Sequence, residues 1–166
     1  SGHLESLLEE TRQADQLIKR FLSFARPLEF DSSILSLDSV VEEIIESFRV
    51  RSDFAEITLS ANLQSGAMGR IDLLLFKQAL GNLIENAALA YADRNGSVEV
   101  ATVLRGDEAA ITVSDHGTGI DPDKLDRVFT PFYSSRPSGT GLGLPLAARI
   151  VDMHHGRLSL ESQLGQ

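Results

Sequence analysis

The sequence predicts an α+β fold: about five strands with about three covering helices, behind a single N-terminal helix. Three observations carry this. Two strand-like stretches, 97–104 and 109–114, flank Gly106-Asp107, as in an antiparallel hairpin. Apolar residues at helical spacing recur over 38–50, 72–92 and 145–155, interleaved with the strands. A separate apolar seam over 3–25 stops at a proline, ahead of everything else.

In the seam, Leu4, Leu7, Thr11, Ala14, Ile18, Phe21 and Ala25 alternate spacings of three and four, as in a coiled coil. Leu8 and Leu22 widen the face toward what a bundle needs. Pro27 ends the helix, because the residue before a proline is pushed out of helical geometry. A face this apolar is predicted to pair with another copy or to fold back on the rest of the chain. Residues 27–35 read as a linker and 34–37 as a short strand. Asp38 is the expected N-cap of the next helix, whose apolar face holds Val40, Val41, Ile44, Ile45 and Phe48. Residues 56–63 alternate as a strand, and 66–69 read as a turn.

Asp72 is the expected N-cap of the longest domain helix, with Leu75, Ala79, Leu83, Ala87 and Ala90 along one stripe. Asn82 and Asn86, four apart, share a face. Beyond the hairpin, 122–128 is a short helix and 130–141 a polar loop. Pro145 suits the first turn of the last helix. That helix runs to His155, with Gly156 as expected C-cap, and 157–162 is a final strand.

Composition narrows the function. With 42% hydrophobic residues the chain can build a core, and no apolar run approaches the ~20 residues of a membrane span. The absence of Cys removes disulfides, thiolate zinc sites and a Cys nucleophile. A net charge of −9 disfavours nucleic acid as a partner and repels phosphates at long range. A nucleotide site would need local compensation from a metal ion, backbone N–H groups or a few basic side chains.

Three clusters offer such a site. An amide oxygen is a neutral ligand for a hard cation and its NH2 donates to phosphate, so Asn82 and Asn86 form a candidate metal and phosphate face. The alternative is a solvated strip. Asp115 follows the apolar strand 111–114, where a carboxylate can accept an exocyclic amine, and Gly117 and Gly119 let the backbone approach a flat base. The alternative is a simple Asp-Gly turn. Gly139, Gly141 and Gly143 alternate into a helix, exposing N–H groups to an anion. The alternative there is a lid without a ligand. The spacing fits neither a Walker loop nor a Rossmann fingerprint.

These clusters resemble the boxes of sensor histidine kinases of two-component systems. Residues 82–87, Asn-Leu-Ile-Glu-Asn-Ala, resemble the N box, and 115–120, Asp-His-Gly-Thr-Gly-Ile, the G1 box. Residues 129–133, Phe-Thr-Pro-Phe-Tyr, resemble the F box, and 139–144, Gly-Thr-Gly-Leu-Gly-Leu, the G2 box. The short lid with Ser134-Ser135-Arg136-Pro137 is similar to the nitrogen-regulation type. The helix at 3–25 resembles the second helix of that family's dimerisation and phosphotransfer domain.

The resemblance implies a Bergerat, or GHKL, fold: a two-layer α/β sandwich with a mixed sheet covered on one face. It implies three segments: 1–26 as a truncated dimerisation helix, 27–35 as linker, and 36–166 as the catalytic ATP-binding domain, its C-terminal strand cut short. The implied cofactors are ATP and Mg2+, with Asn86 and Asn82 as metal ligands. Asp115 would bind the adenine amine, beside Gly117, Gly119 and Ile120. Phe129 and Phe132 would anchor the lid, Arg136 would reach the γ-phosphate, and Thr140, Gly141, Leu142, Gly143 and Leu144 would face the phosphates. Asn82, Asn86 and Arg136 would serve catalysis. Leu89 and Ala90 stand where some members carry a basic residue and an aromatic.

The implied activity is transfer of the γ-phosphoryl to a His on a dimerisation domain, for relay to a response regulator. The His-Glu-x-x-Asn-Pro-like acceptor motif is not in this sequence, so the chain is not expected to label itself. The implied partners are a receiver domain and, through 3–25, a second copy. The implied location is cytoplasmic, without membrane contact by this segment and with anchoring of the parent left open. Gyrase-type and heat-shock-chaperone-type ATPases share the fold but place Glu where Asn82 stands. An anti-sigma-type Ser kinase and a non-catalytic ATP-binding scaffold are the other readings.

Overall fold

The structure, a computed structural model, describes residues 2–25, 27–91, 93, 95–130 and 143–162. Helix α1, Gly2–Ala25, follows the predicted seam. Leu4, Leu7, Ile18, Phe21 and Leu22 are all exposed along it. The helix therefore does not fold back on the domain, whose apolar clusters are already covered by its own helices.

Strand β1, Ser33–Ser36, leads into α2, Leu37–Arg49. The expected cap is displaced: Ser36, not Asp38, is the N-cap, accepting from the Ser39 N–H at 3.3 Å. Tertiary partners claim the Asp38 carboxylate instead. It accepts from Ser65 Oγ (2.5 Å), Thr102 Oγ1 (2.6 Å) and the Gly66 N–H (3.0 Å), joining α2 to the sheet and to the turn at Gly66. Burial pushes its pKa up, but hydrogen bonds from Ser65, Thr102 and Gly66 outweigh that and hold it below the ordinary carboxylate value. A depressed folded pKa gives stability that is complete above the unfolded value, about 4, and is lost as pH falls through the folded one. Urea denaturation across pH 5 to 2 should therefore show an acid-side decline that Asp38→Asn flattens.

After β2, Ile57–Leu63, the predicted turn shrinks to the residues around Gly66 (φ 60°), and Met68–Ile71 forms β3. β3 pairs antiparallel with β1, Ile34 opposite Arg70. The pairing arises because α2 folds β1 back over the turn, with the Leu37 N–H on Ala67 O at 3.0 Å. Helix α3, Leu73–Leu89, is capped by Asp72 as expected. Strands β4, Gly96–Arg105, and β5, Glu108–Asp115, form the predicted hairpin, with Gly106 at φ 64°. β4 also pairs parallel with β2, so the order β2-β4-β5 is a mixed sheet.

The fold class is α+β as predicted, with five strands among the described residues divided between two sheets. One face of the mixed sheet is apolar. Ile57, Leu59, Val98 and Val100 meet Val41, Ile45 and Phe48 of α2 and Ile84 and Ala88 of α3. Full burial of each large aliphatic contributes about 1.5–3 kcal/mol, so these alternating positions dominate the core. A second cluster joins α3 to α4, Gly143–Met153, through Leu75, Ala79, Leu146, Ala147 and Ile150.

Two C-terminal expectations are corrected. His155, not Gly156, takes the left-handed position, with φ 60°. The His155 N–H bonds Asp152 O and the Gly156 N–H bonds Val151 O, both at 2.9 Å, a Schellman arrangement one residue earlier than predicted. His155→Gly should raise stability by about 1 kcal/mol in urea melts, since a side chain there costs about 1–2 kcal/mol. Residues 157–162 are not a strand. Their alternate residues are half-buried, as the pattern required, but no backbone ladder forms among the described residues. Leu158 is drawn to the α3–α4 cluster, and Ser162 Oγ accepts from the Ile120 N–H at 2.8 Å. Alternation reports a half-buried surface, not a partner strand. The segment 122–128 is a 3-10 helix, Pro122–Arg127, opened by Asp121.

Candidate active site

Helix α3 is the spine of the site. Asn82, Asn86 and Ala90 recur at i, i+4 and i+8, on one stripe about 12 Å long at the helical rise. Each level meets or faces a different motif. Asn82 donates from Nδ2 to Gly143 O, the first residue of α4, at 3.3 Å. The Leu75–Ile150 cluster holds α4 in that place. The Asn82 Oδ1 has no partner among the described residues. Asn86 is half-buried one turn on. At the third level Ala90 O accepts from the Thr118 N–H at 3.2 Å, so the loop after β5 docks on the end of α3.

That docking depends on two small residues. A Cβ at Gly117 would lie 2.5 Å from both Ala90 Cβ and Ala90 O. Gly119 sits at φ 74°, where a side chain is strained. Asp115 is the last residue of β5 and opposes Val98. Its Oδ1 accepts from the Gly117 N–H at 2.9 Å, shaping the loop, while Oδ2 has no partner among the described residues. Asp115 and Ile120 are half-buried, and His116 is exposed.

Asn82, Asn86, the loop after β5 and Gly143 thus meet along one helix face. That face carries the Asn82 and Asn86 amides, the first turn of α4 beside Asn82 and the half-buried Asp115 at the far end. The carboxylate inside the first cluster, Glu85, is engaged elsewhere, on Arg51 at 2.6 Å, whose guanidinium lies over Phe48 and Phe54. A family model described as histidine kinase-, DNA gyrase B- and HSP90-like ATPase matches residues 71–166, more than half of the chain. The chain belongs to that family. It is a histidine-kinase-type catalytic domain of the GHKL group.

Its relatives agree. The chain is 32% identical to the signal transduction histidine-protein kinase AtoS of Escherichia coli, over 98% of this chain and 27% of that protein. It is 28% identical to sporulation kinase C of Bacillus subtilis, over 99% of this chain and 39% of that protein. The chain thus spans well under half the length of these curated relatives. Full-length ShkA in complex with AMPPNP has the same fold over 99% of this chain and 36% of its own, with a TM-score of 0.81 at 22% identity. The mycobacterial sensor histidine kinase MprB aligns over 75% of this chain and 81% of its own, with a TM-score of 0.66 at 25% identity.

Of the predicted site residues of this histidine-kinase-type domain, Asn82, Asn86, Asp115, Gly117, Gly119, Ile120, Gly143 and Leu144 border the α3 face or its loops. Phe129 is half-buried after the 3-10 helix. Phe132, Arg136, Thr140, Gly141 and Leu142 lie outside the described residues. A cleft of about 310 Å3, lined by Ser60, Ser97, Glu99, Ser114 and His116, opens on the other, polar face of the sheet. It holds none of the predicted ligand groups.

The donor set suits magnesium. No group of three His, Cys, Asp or Glu among the described residues is arranged for a metal. Two amide oxygens on a half-buried face match an ion that takes few protein ligands and shares the rest with phosphates. Sequence reasoning missed Ala90 as the seat of the loop after β5. The only signal for it was its i+4 spacing from Asn86.

The histidines at the far end of the domain are structural. The Asp72 N–H donates to His154 Nε2 at 3.1 Å, so Nδ1 carries the proton shared with Ile150 O at 2.9 Å. The ring sits edge-on to Phe30 at 4.8 Å.

Proposed function

We propose that this domain binds Mg-ATP along the α3 face and transfers the γ-phosphoryl to a histidine on a dimerisation domain. The observation that carries the reading is the residue at the start of the stripe. Asn82 is an amide, tied by Nδ2 to Gly143 O, and the carboxylate nearby in sequence, Glu85, is bound to Arg51. A carboxylate there would polarise water as a general base; an amide does not. The face therefore favours transfer over hydrolysis.

In this reading Asp115 Oδ2 accepts the adenine amine and Ile120 borders the base. Asn86 and Asn82 would hold the metal, which would supply charge neutralisation to the phosphates. Phe129 and Phe132 anchor the lid, Arg136 reaches the γ-phosphate, and Thr140 to Leu144 present N–H groups to the phosphates. An imidazole nitrogen of the acceptor attacks the γ-phosphorus in line. The bond to the β-phosphate oxygen breaks, ADP leaves, and the imidazole sheds its proton. Such a step asks the protein mainly for positioning and charge stabilisation.

The acceptor comes from another segment, since no His-Glu-x-x-Asn-Pro-like motif occurs here. The exposed seam of α1 suits pairing with a second copy. The phosphoryl would pass on to a receiver-domain Asp. The relative ThkA has been solved in complex with the response regulator TrrA, and its fold matches at a TM-score of 0.74. A cytoplasmic location goes with these partners. No described helix is long and apolar enough to cross a membrane.

Incubation with labelled ATP and a separate protein carrying the histidine helix pair tests the proposal. Acid-labile label should appear on the partner and not on this chain, with ATP hydrolysis slow. Brisk hydrolysis that Asn82→Asp leaves unchanged would place the domain among the hydrolases. Strong labelling of the chain alone would remove the need for a separate acceptor.

A further inference from the structure

Tyr91, which none of the boxes contains, stands between the two strands of the hairpin and the base loop. Its hydroxyl donates to Ser97 O at 2.7 Å and accepts from the His116 N–H at 2.8 Å. The register that sets Val98 opposite Asp115 places Ser97 opposite His116. A hydroxyl is therefore interposed between the two residues that would form the next rung of the ladder. The ring needs a glycine beneath it: a Cβ at Gly96 would lie 2.4 Å from Tyr91 Cε1.

The consequence falls on the loop. With the last rung held open, β5 ends at Asp115 and the chain peels toward α3. There the Thr118 N–H reaches Ala90 O, and Gly117 packs on Ala90. The Asp115 carboxylate, at the last rung of the sheet, is then presented at the end of the α3 stripe.

We propose that Tyr91 is a positioning residue that sets base selectivity: its hydroxyl keeps the β4–β5 ladder open so that Asp115 faces the ligand's exocyclic amine. The inference rests on the reading of Asp115 as the base-binding group. Removing the hydroxyl lets the His116 N–H close directly on Ser97 O. The loop is drawn away from Ala90 and the carboxylate turns from its place.

The test is Tyr91→Phe, with Gly96→Ala as a second variant that moves the ring and keeps its hydroxyl. Calorimetry with Mg-ADP and with Mg-IDP, which lacks the amine, reads selectivity. Amide exchange at Thr118 reads the loop. Both variants should lose about tenfold in ADP affinity, the scale of one hydrogen bond to a charged group. IDP affinity should hardly change, and Thr118 should exchange at least several-fold faster. Faster Thr118 exchange with an unchanged ADP-to-IDP ratio would make Tyr91 a structural tie only and overturn the proposal. Unchanged exchange would overturn the clamp itself. If the wild-type protein does not prefer ADP to IDP, the reading of Asp115 fails first and the role of Tyr91 falls with it.

Discussion

Gly117→Ala should weaken adenine-nucleotide binding by about 10- to 100-fold while the far-UV circular dichroism stays that of the wild type. The added methyl would stand 2.5 Å from Ala90 Cβ and O, and a backbone carbonyl cannot move aside as a side chain can. The loop must leave α3, breaking the bond from the Thr118 N–H to Ala90 O and displacing Asp115. A hydrogen bond to a charged group contributes about 1.5–3 kcal/mol, which is the stated loss in affinity. The loop carries no part of either apolar cluster, so the core survives. Calorimetric titration with Mg-ADP, beside the spectrum, checks both halves. Binding within threefold of wild type would show that the contact at Ala90 does not set the site.

Asp72→Ala should cost about 2–3 kcal/mol in urea denaturation, lowering the melting midpoint by about 5–10 °C for a domain of this size. Asp72 is 5% exposed and serves two elements. Oδ1 accepts from the Leu75 N–H at 3.0 Å, capping α3, and Oδ2 accepts from the Asp31 N–H at 2.8 Å, fastening the linker. Removing the carboxylate leaves two backbone donors without a protein acceptor. Asp72→Asn keeps one acceptor oxygen and should recover about half of the loss. The linker should also become more sensitive to proteolysis in Asp72→Ala. Leu28 would remain in the α3–α4 cluster and Phe30 against His154 as its other anchors. A loss under 0.5 kcal/mol would mean that water replaces both acceptors without cost.

Much of this was legible in the order of residues. The helices and the hairpin follow from spacing that neighbours along the chain impose, and Asp72 acts as the cap that its place before Leu73 suggested. The paired Asn residues do share a face. The misreadings lie where a local rule met a distant partner. Asp38 was as good a cap by type as Ser36, but Ser65 and Thr102 draw its carboxylate away from the helix end. Residues 157–162 alternate as a strand does, yet their side chains answer to α3 and α4 and not to a neighbouring backbone. His155 enters the left-handed region ahead of a glycine that seemed made for it, because the hydrogen bonds to Val151 and Asp152 set where the helix closes.

The sequence by itself determined the α+β class, the family and the positions of the candidate clusters. Those depend on residue type and on separations of a few residues, which a chain carries wherever it packs. Only the tertiary structure decided that Gly143 meets Asn82 and Gly117 meets Ala90 along one stripe of α3. It alone decided that Tyr91 holds the sheet open between Ser97 and His116, residues 6 and 25 positions away from it. The physical reason is close packing. Whether a glycine, an alanine or a hydroxyl matters depends on the atoms that arrive within a few ångströms of it, and those come from parts of the chain that spacing does not connect.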